Sequence, residues 1–171
     1  MISWPYAHLL LNHFPVVMSV CALGATLLAL LTNRRGLWQA AMGALTIAGL
    51  FVYPVHFSGD KAGDAVGNPW YIRPGALEAH DDAARIALIV ILVAGAFAAY
   101  SWWRSLKQPA EVIPRWIRSG VLVGALAAVA TVTYTAYLGG KIIHESPALE
   151  PREAPAGQSP AKTASPPAIK R

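Results

Sequence analysis

Five histidines carry most of the chemistry open to this 171-residue chain: His8, His13, His56, His80 and His144. Imidazole is the commonest side-chain ligand for metal ions, and it also ligates haem iron. Carboxylates accompany two of the five, with Glu78 two residues before His80 and Glu145 directly after His144. A helical bundle that brings histidines from several helices to one level can hold a metal ion or a b-type haem between them. His13, His80 and His144 are the first candidates for ligands, with His8, His56, Glu78 and Glu145 behind them. Tyr53, Thr131, Tyr134 and Thr135 carry hydroxyls that would support such ligands through a second layer of hydrogen bonds. Hydrolytic catalysis has no support, because G-x-S-x-G, H-E-x-x-H and Walker A patterns are all missing. Cys21 is the single cysteine, which excludes an intrachain disulfide and a C-x-x-C-H haem attachment. It lies in an apolar run and is expected to be a small buried hydrophobe.

The elements that must position these groups follow from composition. Hydrophobic residues make up 55% of the chain and charged residues 13%, about half the charged share of an ordinary soluble domain. That is too little charge to cover a soluble surface and too much apolar content for a disordered chain. A hydrocarbon core about 30 Å thick needs about 20 helical residues to cross it. Four stretches qualify, at about 9–31, 38–57, 83–103 and 117–138. The fold class expected is all-α, a transmembrane four-helix bundle over residues 1–145. A Pro/Ala-rich tail over 146–171 lacks any hydrophobic period and reads as disordered.

The loops between the spans differ in charge. The first carries Arg34 and Arg35, and the third carries Arg104, Lys107, Arg115 and Arg118 against Glu111 alone. The second, from Ser58 to Asp82, holds five acids against Lys61 and Arg73. The positive-inside rule therefore places the first and third loops in the cytoplasm and both termini outside. All five histidines then fall at the outer end. Trp38, Trp102, Trp103 and Trp116 are expected to form the inner aromatic belt, and Trp4, Tyr6, Trp70, Tyr71 and Tyr137 the outer one. The net charge of +5 is thus a topology signal, and no basic stretch interleaved with aromatics suggests nucleic acid.

Local signals refine this outline. His8 and His13 are five residues apart and so do not share a helix face. Pro15 either kinks the first helix or starts it, which puts His13 at a bend over the mouth of the bundle. Asp81 and Asp82 suit N-caps of the third helix, and Asp81 lies four residues before Arg85, in pairing range. Gly139 and Gly140 are expected to stop the fourth helix and turn Lys141 to Glu145 back over the mouth. Gly120-x-x-x-Gly124, and the small pairs Gly24/Ala25, Gly43/Ala44 and Gly95/Ala99, suit close helix packing within one bundle and also an oligomer.

Three of these stretches resemble a known family. His8-Leu9-Leu10-Leu11-Asn12-His13-Phe14-Pro15 is similar to an H-x4-H-F-P opening. Glu78-Ala79-His80-Asp81-Asp82-Ala83 is similar to an E-x-H-x-x-A lead-in to the third helix. Leu138-Gly139-Gly140-Lys141-Ile142-Ile143-His144 is similar to an L-G-G-x-I-x-H close. Together they resemble a bacterial membrane-protein family known as domain of unknown function number twenty-two thirty-one. The His-Pro-Glu that often follows in that family reads His144-Glu145-Ser146 here. The resemblance implies a four-helix protein of the bacterial inner membrane. Some relatives are joined to cytochrome c or Rieske-type iron–sulfur domains, which implies redox chemistry. The expected function is binding of haem b or a transition-metal ion at the periplasmic end. Electron transfer would run to a periplasmic cytochrome, an iron–sulfur protein or a quinone. The alternative is a structural or assembly subunit of a membrane complex that binds no cofactor.

Overall fold

Without water, apolar side chains gain nothing by leaving lipid for protein, so helices associate by close packing of small residues. The helices of this chain are built that way. In the structure, a computed structural model that describes residues 2–67, 69–108 and 112–149, the helices are α1 (Trp4–Leu11), α2 (His13–Thr32), α3 (Arg35–Val66), α4 (Ala76–Lys107) and α5 (Arg115–His144). Among the described residues, α1 with α2, α3, α4 and α5 give four stretches long and apolar enough to cross a membrane. The fold is an all-α four-helix bundle. Its inward positions are mostly small: Ser19, Ala22, Thr26 and Ala29 on α2, and Ala83, Ala87, Ala94, Gly95 and Ala98 on α4. Leu31, Leu50, Val93 and Val123 are each more than 60% exposed. Apolar surface of that extent suits lipid and would drive aggregation in water.

Helix α2 packs on α3 and α5, α3 packs on α4, and α4 packs on α5, so the four close into a ring. Asn33 ends α2 in the left-handed conformation (φ 52°), and its N–H bonds to the Ala29 carbonyl at 2.8 Å. That turn reverses the chain into α3 within two residues. The closest approach lies between α3 and α4, where a Cβ on Gly95 would stand 2.8 Å from the Gly49 Cα. Gly124 faces Ala94 and Leu45, and Gly120 faces the Phe97 ring, so the G-x-x-x-G of α5 is used inside the bundle. At the basic-loop end, Arg35 donates to the carbonyls of Ser105 and Gln108, which tethers α3 to the C-terminus of α4.

Several sequence expectations change. The first span is two helical segments that meet at Asn12, whose own backbone stays right-handed helical (φ −62°, ψ −22°), with Pro15 in the first turn of α2. The long helices overrun the bilayer length, α3 by two turns beyond Phe57 and α4 by two turns before Ala83. Asp81 and Asp82 therefore lie inside α4 and cap nothing, although Asp81 does pair with Arg85 at 2.7 Å. Gly139 and Gly140 do not stop α5, which continues to His144. Gly139 is needed for packing, since the His80 ring lies against it. Trp38 is 1% exposed beneath the Arg118 guanidinium and fills the core; it does not belong to an interfacial belt. Cys21 lies on the exposed face of α2. Pro147–Leu149 forms a 3-10 turn, held where the Ser146 hydroxyl donates to the Tyr71 carbonyl. The rest of the expected tail, 150–171, lies outside the described residues.

The Gly49–Gly95 contact yields a test. Gly95→Leu should cost about 1–3 kcal/mol or more, because backbone cannot yield as a side chain can. Gly24→Leu should be neutral, since nothing lies within 4 Å of a Cβ there. Thermal unfolding in detergent, followed by circular dichroism, compares the two, and equal midpoints would refute the contact's importance.

Candidate metal centre

The acidic-loop end is shaped by the connection from α3 to α4. Arg73, Pro74, Gly75 and Ala76 make a turn in which Gly75 has φ 78° and the Ala76 N–H bonds to the Arg73 carbonyl at 3.1 Å. Proline followed by glycine at positive φ is the pattern of a type II turn. It launches α4 two turns before the apolar stretch begins. The polar first turns of α4 thereby stand beside the polar last turns of α3, beyond the apolar stretches of both helices.

On α3, His56 and Asp60 are one turn apart and share a face, with His56 Nε2 3.9 Å from Asp60 Oδ1. Asp81 comes from α4. One ligand atom from each of these three residues lies within 4.8 Å of the others. His56 is half-buried, Asp60 is exposed, and Asp81 is intermediate. One imidazole nitrogen and two carboxylate oxygens form a donor set that first-row transition ions accept.

Two further histidines pack nearby. His8 on α1 reaches across to α3, where its Nδ1 lies 3.1 Å from the Val55 carbonyl and 3.2 Å from Ser58 Oγ. The Ser58 hydroxyl itself donates to Val55 at 2.8 Å. Both of these oxygens are therefore acceptors, so Nδ1 must carry the proton. His80 on α4 places its Nδ1 3.0 Å from the Thr135 carbonyl on α5. A carbonyl can only accept, so His80 has the same tautomer. In each ring the Nε2 lone pair is left available, the arrangement in which a metal-ligating histidine is usually held. His8 also lies within electrostatic reach of His56, Asp60 and His80.

The other candidates are not part of this group of three. His13 is exposed and bonds to the Leu9 carbonyl of the preceding turn at 2.7 Å. His144 is exposed at the end of α5, and its ring approaches Gly140 of the same helix. Glu78 is exposed. Glu145 pairs with Lys141 at 3.4 Å. Tyr53 and Tyr134 are about 60% exposed on the lipid side of their helices. The Thr131 and Thr135 hydroxyls bond within α5, and Thr135 serves His80 through its backbone carbonyl. The structure thus groups His56 with Asp60 and Asp81, where the sequence favoured His13, His80 and His144. Asp60 and Asp81 were not among the sequence candidates for ligands. The four-residue spacing of His56 and Asp60 was the available signal for the first of them.

The tautomers are open to measurement. Histidine-selective 15N spectra above neutral pH should show His8 and His80 protonated at Nδ1, opposite to the preference of a free histidine side chain. Resonances protonated at Nε2 would contradict the hydrogen bonds described.

No family model, no curated protein and no solved structure matches the chain.

Proposed function

We propose that this chain is a small multi-pass protein of the bacterial inner membrane, in the four-helix family it resembles. In this reading it binds a transition-metal ion at the acidic-loop end. The observation that carries the proposal is the convergence of His56, Asp60 and Asp81 from two helices to within 4.8 Å. An ion suits this place better than haem b. The facing side chains of α3 and α4 already approach one another there, and a porphyrin needs a slot between helices. Copper, iron and zinc all accept such donors, and the first two would support electron transfer to a cytochrome, an iron–sulfur protein or a quinone.

A second reading has its own observation. The bonds of His8 and His80 to backbone carbonyls close a polar clasp between helices without any ion. Such a clasp would serve a structural or assembly subunit. Equilibrium dialysis of detergent-purified, untagged protein against Zn2+ separates the two. The metal reading expects about one ion per chain. His56→Ala, Asp60→Asn and Asp81→Asn should each weaken binding at least tenfold. Binding should also weaken on acidification, because metal ligands must be deprotonated to bind. A wild-type protein that retains no zinc favours the clasp.

The orientation proposed puts both termini and the acidic loop in the periplasm, by the charge contrast of the loops. With Cys21→Ser as background, Ser3→Cys should react with an impermeant maleimide on intact spheroplasts. Lys107→Cys should react only after lysis. The reverse pattern would invert the topology.

A further inference from the structure

Each half of the bundle contains the same histidine seat. In the first half, His8 from the leading helix lies on Gly59 of α3 and bonds to Val55, four residues earlier. In the second, His80 from the leading helix lies on Gly139 of α5 and bonds to Thr135, again four residues earlier. The geometry repeats closely. A Cβ at Gly59 would stand 3.0, 3.3 and 3.7 Å from Cε1, Nδ1 and Nε2 of His8. A Cβ at Gly139 would stand 3.0, 3.3 and 3.9 Å from the same atoms of His80. In both seats a glycine admits the ring and a carbonyl one turn back fixes its tautomer. Among the described residues, neither Nε2 has a hydrogen-bond partner.

We propose that His8 and His80 are a matched pair of nitrogen donors that join His56 around the ion of the acidic-loop end. This rests on the metal reading above and deepens it. The two rings are not part of the close group of His56, Asp60 and Asp81, and an ion there would draw their Nε2 atoms in by side-chain rotation. Three neutral imidazoles with one or two carboxylates select copper or zinc over magnesium and calcium, which prefer all-oxygen shells. The repeated seat accounts for the placement. A half-buried imidazole needs one nitrogen satisfied, and satisfying only Nδ1 reserves Nε2 for a metal. Packing alone would be served as well by an apolar side chain on each glycine.

The test uses the full-length, untagged chain in detergent with one equivalent of Cu2+. Electron spin-echo modulation counts the imidazoles bound to copper. Wild type should show three. His8→Gln and His80→Gln should each show two and bind copper at least tenfold more weakly, since glutamine keeps a donor for the carbonyl and loses the ligand. Gly59→Ala and Gly139→Ala should disturb the same signals by pushing the ring off its seat, and they serve if a glutamine variant does not fold. His13→Gln should leave the count at three. Copper held with an unchanged count in the His8 and His80 variants would overturn the pairing and leave the metal reading standing. A wild-type chain that takes up no copper would overturn both.

Discussion

Everything at the acidic-loop end depends on how closely α3 and α4 approach in the middle of the bundle. Gly49 and Gly95 let the two backbones touch, and in lipid that contact is not replaceable by burying larger apolar groups, because lipid already solvates them. From that contact the two helices run on together to the acidic-loop end, where ligand atoms from both lie within 4.8 Å of one another. That is how His56 and Asp60 on one helix meet Asp81 on the next. A leucine at the crossing would separate the axes by more than the few ångströms over which the three groups act together.

The same logic explains where glycine appears at the rim. Gly59 and Gly139 stand outside the apolar stretches, where tight packing for its own sake is less urgent. Each receives an imidazole instead of a neighbouring backbone. A bundle of small residues thus uses glycine for two purposes. At mid-depth it brings helices together, and at the rim it admits a bulky polar ring without parting them. The carbonyls of Val55 and Thr135 complete each seat by accepting the Nδ1 proton from another helix. In membrane proteins such interhelical bonds contribute about 0.6 kcal/mol on average. Their value here lies more in fixing the tautomer than in stability.

Much of this architecture was legible in the sequence, and the reasons are physical. Bilayer thickness dictates span length, so four apolar runs bounded by charges define four helices and their order. Helix ends were less legible. Beyond the bilayer, α3 and α4 continue through polar residues supported by one-turn pairs such as Asp81 with Arg85 and Lys61 with Asp64, and hydropathy carries no record of such support. Gly139-Gly140 reads as a stop because glycine is usually flexible, and the ring that stabilises it in a helix comes from another helix. The choice among histidines depends on rotation. Each residue turns a helix by 100°, so small differences in phase decide whether His13 or His8 meets the neighbouring helix. Contacts between helices set that phase. His13 stays exposed and bonds to the Leu9 carbonyl of its own preceding turn.

The charge balance of the cluster bears on how it would hold an ion. Two carboxylates confined in a dry site would demand a cation, because an uncompensated buried charge costs several kcal/mol. Asp60 and Asp81 are under no such pressure. Their side chains are 50% and 37% exposed, and Arg85 already pairs with Asp81. Water and Arg85 already satisfy these two carboxylates, so an ion binding there would not need to be coupled to folding as it is in a structural zinc site. An ion arriving there would compete with Arg85 for Asp81 and with water for Asp60. Both competitors weaken binding and speed release. Such a site suits an ion that is exchanged or handed on at the membrane surface better than one retained permanently. The less exposed imidazoles of His8 and His80 would then supply the selectivity that the two exposed carboxylates lack.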